Sequence, residues 1–191
     1  MIKISDITID DRSLLERKDT IYYTDQSKPV LGFCMESDEQ KIRVEKACIS
    51  LNGWQEEIDE IAYVIYGGEE LLPMQTYTIR VQVKTTDGNH TEAHATFETG
   101  RMELPWKGNW ITDPSIINTS PLSPRPLEFR KKIILQKSVR SLKVMATAIG
   151  IYDLYWDGKR INTEYFAPGF TDYDHHLQYG IYPLENIQPG T

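Results

Sequence analysis

Apolar side chains recur at every second position along much of the chain. The clearest run lies between residues 76 and 86, where Tyr77, Ile79, Val81 and Val83 alternate with Thr78, Arg80, Gln82 and Lys84. Alternation of this period gives a strand one buried and one wet face. Shorter runs rich in Val, Ile, Thr and Tyr occupy residues 29–35, 42–51, 61–66, 91–99, 127–135, 142–156 and 179–184. Gly, Pro, Asn and Asp separate them roughly every ten residues. No segment carries a convincing helical stripe. Short strands at this spacing, without helices, predict an all-β chain built from antiparallel β-sandwiches.

Two hairpins stand out. Asp87-Gly88 follows the 76–86 strand and reads as a tight two-residue turn. Residues 142–156 read as one long strand, with Val144, Ala146, Ala148, Gly150, Tyr152, Leu154 and Trp156 on a single face. Asp157-Gly158 closes it, and Lys159, Arg160 and Ile161 begin the return. The small residues Ala146, Ala148 and Gly150 let another layer approach closely. Phe166, Pro168, Gly169 and Phe170 then form a rigid turn before Tyr173.

Charge divides the chain. Residues 1–100 hold ten Lys/Arg against nineteen Asp/Glu, and residues 101–191 hold eleven against nine, within a total of 191 residues and a net charge of −7. Four prolines between Pro114 and Pro126 mark an extended connection. The expected organisation is a first sandwich over 1–100, a junction over 101–126 and a second, jelly-roll-like module over 127–191. The acidic balance argues against nucleic acid as a partner. The one basic cluster, Arg125, Arg130, Lys131, Lys132, Lys137, Arg140 and Lys143, reads as the solvent face and protected edge of strands. No apolar run reaches the about 20 residues of a membrane helix, and the N-terminal residues lack the pattern of a secretory signal. A cytoplasmic location, with Cys34 and Cys48 as free buried thiols, is the corresponding expectation.

Candidate chemistry is sparse. Trp106 and Trp110 flank Gly108 and plug a domain junction or, as the sharper alternative, offer rings to a sugar; Trp156 is a third candidate sugar contact. Asp172 and Asp174 alternate along what reads as an extended segment and so share a face. Glycoside hydrolysis requires two carboxyls at a fixed separation, one with its pKa raised by an apolar pocket, and no apolar pocket around these two is legible. Catalytic residues are therefore expected to be none. Adjacent His175 and His176 point to opposite faces of a strand, which disfavours zinc. No cofactor is expected, and calcium is the more plausible metal if one binds. No phosphate loop or nucleophile elbow is present.

Several motifs resemble known families. Leu72-Pro73 followed by Tyr77 and the Val81-x-Val83 pair looks like the corner of a fibronectin type III domain, where a tyrosine hydroxyl bonds back to the preceding turn. Leu127-Glu128-Phe129-Arg130-Lys131, the stretch from Ala148 through Asp157-Gly158 to Ile161, Ala167-Pro168-Gly169-Phe170-Thr171-Asp172-Tyr173 and Tyr179 together resemble the N-terminal β-sandwich module of bacterial α-L-rhamnosidases. Phe97-Glu98-Thr99-Gly100 with Trp106, Trp110 and Ile111 resembles the join to a preceding fibronectin-like domain in those enzymes. Asp157 stands where the family usually has asparagine, and Phe170 where it has tryptophan.

The resemblance implies a parent enzyme that hydrolyses terminal rhamnosides with inversion, using carboxylates on a helical barrel far downstream. It implies a rhamnose-containing glycan as that parent's partner. Some members bind calcium in this module, but its ligands find no match here. The eighty-six residues from Trp106 onward fall short of the about 100 that a sandwich with a linker requires. A second domain cut short, with an open edge inviting dimerisation, is the expectation. The leading function is then a non-catalytic N-terminal region of a glycoside hydrolase. A free-standing carbohydrate-binding or adhesion module is the alternative, and a small enzyme using Asp172 and Asp174 stands last.

Overall fold

A computed structural model describes residues 2–16, 21–38, 43–58, 63–114 and 126–187. The chain divides into Met1–Lys107 and Gly108–Thr191. It is all-β, with several antiparallel sheets and no α-helix among the described residues.

In the first unit β1 (Ile2–Ile9), β2 (Arg12–Ser13), β4 (Val30–Ser37) and β7 (Val64–Ile65) form a four-stranded sheet in the order β2-β1-β4-β7. β3 (Tyr23–Thr24), β5 (Val44–Leu51), β6 (Trp54–Ile58), β8 (Thr76–Thr85) and β9 (His90–Thr99) form a five-stranded sheet in the order β3-β9-β8-β5-β6. Ile7, Ile9, Leu31 and Phe33 from the first sheet and Ile49, Leu51, Ile79, Val81, Val83 and Phe97 from the second make one buried core. Each such side chain removed from water is worth about 1.5–3 kcal/mol. The alternation expected for β8 is present: Ile79, Val81 and Val83 are buried while Thr78, Arg80 and Gln82 are exposed.

β1 carries a phase slip that masks it in the sequence. Ile4 pairs with Met35 but Asp6 pairs with Cys34, so Ser5 is an extra residue. That bulge lets Ile2 and Ile4 precede Ile7 and Ile9 on the inner side although the spacing between Ile4 and Ile7 is three. The Asp6 carboxylate supports it, accepting from Ile7 N at 2.8 Å, Ser13 Oγ at 2.9 Å and Leu15 N at 3.2 Å.

Two-residue loops at Asp10-Asp11 (φ 48° and 61°) and Asn52-Gly53 (φ 48° and 81°) turn β1 into β2 and β5 into β6. Both positions of each loop are left-handed, as the mirror-type hairpin turn requires. The Asp87-Gly88 loop differs from expectation. Only Gly88 is left-handed (φ 83°), Gly88 N donates to Thr85 O, and Thr85 N donates to Asn89 O. This is a longer loop in which an ordinary turn is followed by a left-handed glycine. Asp87 accepts from the side chains of Thr85 and Asn89, which holds its carboxyl below the ordinary range.

The expected tyrosine corner is formed. Leu72 N donates to Tyr77 Oη at 2.9 Å, and the Tyr77 ring stacks on Phe97 at 5.8 Å. Thr99 Oγ1 donates to Leu72 O at 2.6 Å and accepts from Gln75 N at 2.9 Å, tying the same corner to the last strand.

In the second unit β10 (Val139–Ala146) pairs with β13 (Gly180–Ile187), and β11 (Tyr155–Trp156) pairs with β12 (Lys159–Arg160). Asp157 (φ 47°) and Gly158 (φ 76°) make the expected hairpin. Two expected strands fail. Residues 127–135 lie in irregular backbone, so Arg130, Lys131 and Lys132 are exposed there and do not line a strand. The long strand over 142–156 is broken after Ala146, because Gly150 adopts φ 120° and its N–H donates to Tyr173 Oη at 3.1 Å. Beyond the break Tyr152 N donates to Ala167 O and Ile161 N to Leu154 O, so the segment pairs with the return chain.

Replacing Tyr77 with Phe should lower the unfolding free energy of the first unit by about 1 kcal/mol, the net value of one hydrogen bond, measured by urea denaturation. An unchanged midpoint would show that the corner bond adds nothing beyond the ring contact.

Candidate functional site

The three tryptophans singled out as sugar contacts lie in different settings. Trp106 belongs to the first unit, follows β9 and is 42% exposed, and the Arg101 guanidinium sits 4.7 Å from its ring centroid. One ring face is therefore taken by a cation. Trp110, at 64% exposure, and Trp156, half-buried in β11, belong to the second unit.

The acids from Asp172 onward form a turn, where the sequence suggested an extended segment. His175 N and His176 N both donate to Asp172 O, at 3.0 and 2.8 Å, and Asp174 N donates to Asp172 Oδ1 at 3.3 Å. The second oxygen, Asp172 Oδ2, meets His175 Nδ1 at 3.0 Å. A short acceptor side chain that caps its own following backbone favours a turn over a strand. Asp172 and His175 side chains are 68% and 82% exposed, so no low-dielectric pocket surrounds them. His90 and His94 lie on the exposed face of β9. Among the described residues no group of three or more His, Cys, Asp or Glu gathers to hold a metal, so the calcium expectation finds no ligand set there. The thiols are free, but Cys34 is exposed and Cys48 half-buried, which corrects the expectation that both are buried.

One dense polar arrangement is centred on a residue that sequence reasoning missed. Asn162 is 2% exposed. Its Oδ1 accepts from Leu154 N at 2.7 Å and from Arg160 Nε at 3.4 Å, and its Nδ2 donates to Glu164 O at 3.1 Å. Arg160 reaches Asp153 at 2.8 Å and Glu164 O at 2.9 Å and lies 5.4 Å from the Tyr165 ring centroid. This cluster fastens the β11–β12 hairpin to the chain on both sides. Nearby, Tyr152 and Tyr182 share a hydrogen bond of 2.8 Å, and Tyr152 Oη also donates to Ala146 O at 3.1 Å. Burial, first, and then the mutual hydrogen bond push the Tyr152 hydroxyl far up, and burial also raises Tyr182. Both stay neutral at physiological pH and act as staples, not as acid or base.

Two shallow, open depressions mark the surface of the described residues. One of about 510 Å³ is bordered by Asp10, Asp11, Tyr22, Tyr23, Asp25 and Gln26, and one of about 230 Å³ by Ser50, Asn52, Trp54 and Thr78. In the first, Asp10 already accepts from Thr24 Oγ1 at 2.7 Å and Val30 N at 3.0 Å, and Asp25 accepts from Met102 N at 2.8 Å. Those carboxylates hold the strand ends together. None of Trp106, Trp110 or Trp156 borders either depression.

Comparison with known proteins gives a consistent answer. Residues 12–103 match the family described as the Rha78A-like N-terminal immunoglobulin domain, and residues 137–187 match the α-L-rhamnosidase N-terminal domain. Immunoglobulin and fibronectin type III domains share the sandwich architecture, so the first match refines the corner reading. An α-L-rhamnosidase of Streptomyces avermitilis is 36% identical over 64 residues, which is 33% of this chain and 6% of that protein. An α-L-rhamnosidase of Alteromonas sp. is 25% identical over 137 residues, covering 66% of this chain and 15% of the relative. The solved α-L-rhamnosidase from Dictyoglumus thermophilum superposes on 94% of this chain and 23% of its own, with a TM-score of 0.73 and 22% identity. That from Aspergillus terreus covers 96% and 22%, with a TM-score of 0.64 and 16% identity, and both likenesses concern the fold. The chain thus spans less than a quarter of each of these relatives.

Asn162→Ala removes the acceptor of Leu154 N in a buried place, so it should destabilise the second unit by about 2 kcal/mol, the order expected for an orphaned buried donor. Near-ultraviolet circular dichroism of the tyrosines during urea unfolding reads this, and an unshifted transition would remove the clamp from the account.

Proposed function

Given a chain that carries N-terminal domains of the α-L-rhamnosidase kind, we infer that it is the non-catalytic, supporting region of an α-L-rhamnosidase-like glycoside hydrolase. The observation that carries this reading is the reach of the match: the fold likeness covers 94% of this chain and 23% of the solved enzyme. The larger part of such an enzyme, with room for its chemistry, lies outside the aligned portion. Hydrolysis with inversion needs two carboxyls about 6.5–9.5 Å apart, one held protonated by a dry environment. Asp172 has no such dry environment, being exposed and engaged with its own turn. On this reading a rhamnose-containing glycan is the partner of the parent enzyme, and the two sandwiches support the domain that cleaves it.

A second reading, a free-standing carbohydrate-binding module, draws on the exposure of Trp110, at 64%, and Trp106, at 42%. Exposed indole faces pack against the C–H faces of sugars.

Two measurements separate these readings. The purified chain should release no chromophore from an aryl α-L-rhamnoside, whereas turnover that is lost in Asp172→Asn would overturn the supporting role. Tryptophan fluorescence should stay flat as L-rhamnose is added, with or without calcium. A saturable change that disappears in Trp110→Ala would favour the binding module instead.

A further inference from the structure

The chain holds asparagine at six positions, and Asn52 alone is followed by glycine. Asn52-Gly53 is the exposed tip joining β5 to β6. A methyl group added at Gly53 would meet nothing within 4 Å, so the space beside the Gly53 Cα is open, and both residues of the tip are exposed. The strand-to-strand pairing is made by Leu51 and Trp54, on either side of the tip. β6 is an edge strand, paired with β5 alone in its sheet. The tip can therefore change its dihedral angles at the cost of few interactions.

We propose that Asn52-Gly53 is a self-modification site, at which the native chain converts asparagine to aspartate and isoaspartate. The step needs only water. The Gly53 backbone nitrogen attacks Asn52 Cγ, forming an N–Cγ bond, and the Cγ–Nδ2 bond breaks. The proton from Gly53 N passes through water to the departing nitrogen, which leaves as ammonia. Water then opens the five-membered imide at one carbonyl or the other, giving aspartate or isoaspartate. Glycine favours the step because no side chain crowds the attacking nitrogen and its backbone reaches conformations closed to other residues.

Three of the other asparagines, Asn89, Asn109 and Asn162, differ in kind. Asn89 donates from Nδ2 to Asp87 Oδ2 at 2.7 Å and precedes His90. Asn162 is buried, with Leu154 N on its Oδ1 at 2.7 Å. Asn109 precedes Trp110, whose bulk hinders the attack. The conversion matters to the fold because isoaspartate adds a methylene to the backbone within the loop. That breaks the register of Leu51 with Trp54, whose ring meets Tyr66 edge-on at 5.3 Å. The aspartate product also adds a negative charge to a hairpin that already carries Glu56 and Glu57.

The experiment incubates the native chain at neutral pH and 37 °C and maps peptides by mass, with isoaspartate revealed by enzymatic methylation. The peptide holding Asn52 should gain mass about tenfold or more faster than those holding Asn89, Asn109 or Asn162, a barrier difference of about 1.4 kcal/mol. The Asn52→Asp variant keeps a residue that tolerates the left-handed tip and should show no time-dependent mass gain in that peptide. Equal rates at the four sites would overturn the proposal. So would modification of Asn52 that begins only once urea has unfolded the chain.

Discussion

The first unit rests on two rows of apolar side chains that must face each other. Ile7, Ile9, Leu31 and Phe33 project from one sheet, and Ile49, Leu51, Ile79, Val81, Val83 and Phe97 from the other. A one-residue slip in any strand would turn its row outward, so every irregularity has to preserve phase. The bulge at Ser5 and the shift between Val44 and Lys46 do so by absorbing one residue each. Their polar groups are then satisfied locally, Asp6 serving the first. The corner at Tyr77 and Thr99 continues the logic, since it fixes where β8 and β9 start and stop relative to the core.

The second unit is held differently. Its buried apolar side chains among the described residues are Ala167, Tyr182 and Ile187, while Ile134, Tyr165, Phe166 and Phe170 are 74%, 82%, 71% and 90% exposed. With so small a core, order depends on hydrogen bonds that cross the irregular segments. Asn162 and Arg160 fasten the hairpin, Tyr152 spans from Ala146 to Tyr182, and Tyr173 holds Gly150. Polar networks of this kind specify one arrangement when complete and cost heavily when one member is lost. Substitutions of equal size should therefore fall on different chemistry in the two units: methyl groups in the first, amide and hydroxyl groups in the second.

That contrast also explains what the sequence reveals. Strands such as β8 and β9 belong to a half-buried antiparallel sheet, and such sheets print their alternation directly onto the chain. β1 escapes because its bulge puts Ile4 and Ile7 three apart, a spacing that matches no strand template. The run from 142 to 156 deceives in the opposite way: every second position from Val144 to Trp156 is apolar or small, yet Gly150 turns the chain away at φ 120°. Nothing local announces Asn162, since its partners at 153, 154, 160 and 164 surround it only once the hairpin has closed. The Asp172 turn was legible in principle, for an acceptor side chain two residues before a backbone donor is a turn signal.

Site chemistry was the least legible part because it depends on faces and neighbours more than on residue types. A tryptophan recognises a sugar only when a ring face is open and polar groups flank it. Trp106 has the Arg101 guanidinium over one face, so a ligand would have to use the other. Trp156 stands beside the Asp157-Gly158 tip, where its partial burial serves the hairpin. Trp110 keeps the most exposed indole of the three, and exposure alone supplies area without direction. Two depressions offer polar lining, but only the larger is bordered by carboxylates, and there Asp10 and Asp25 are already bonded to the backbone and to Thr24. Trp106, Trp110 and Trp156 border neither depression, so on these three rings apolar area and concave polar lining do not coincide.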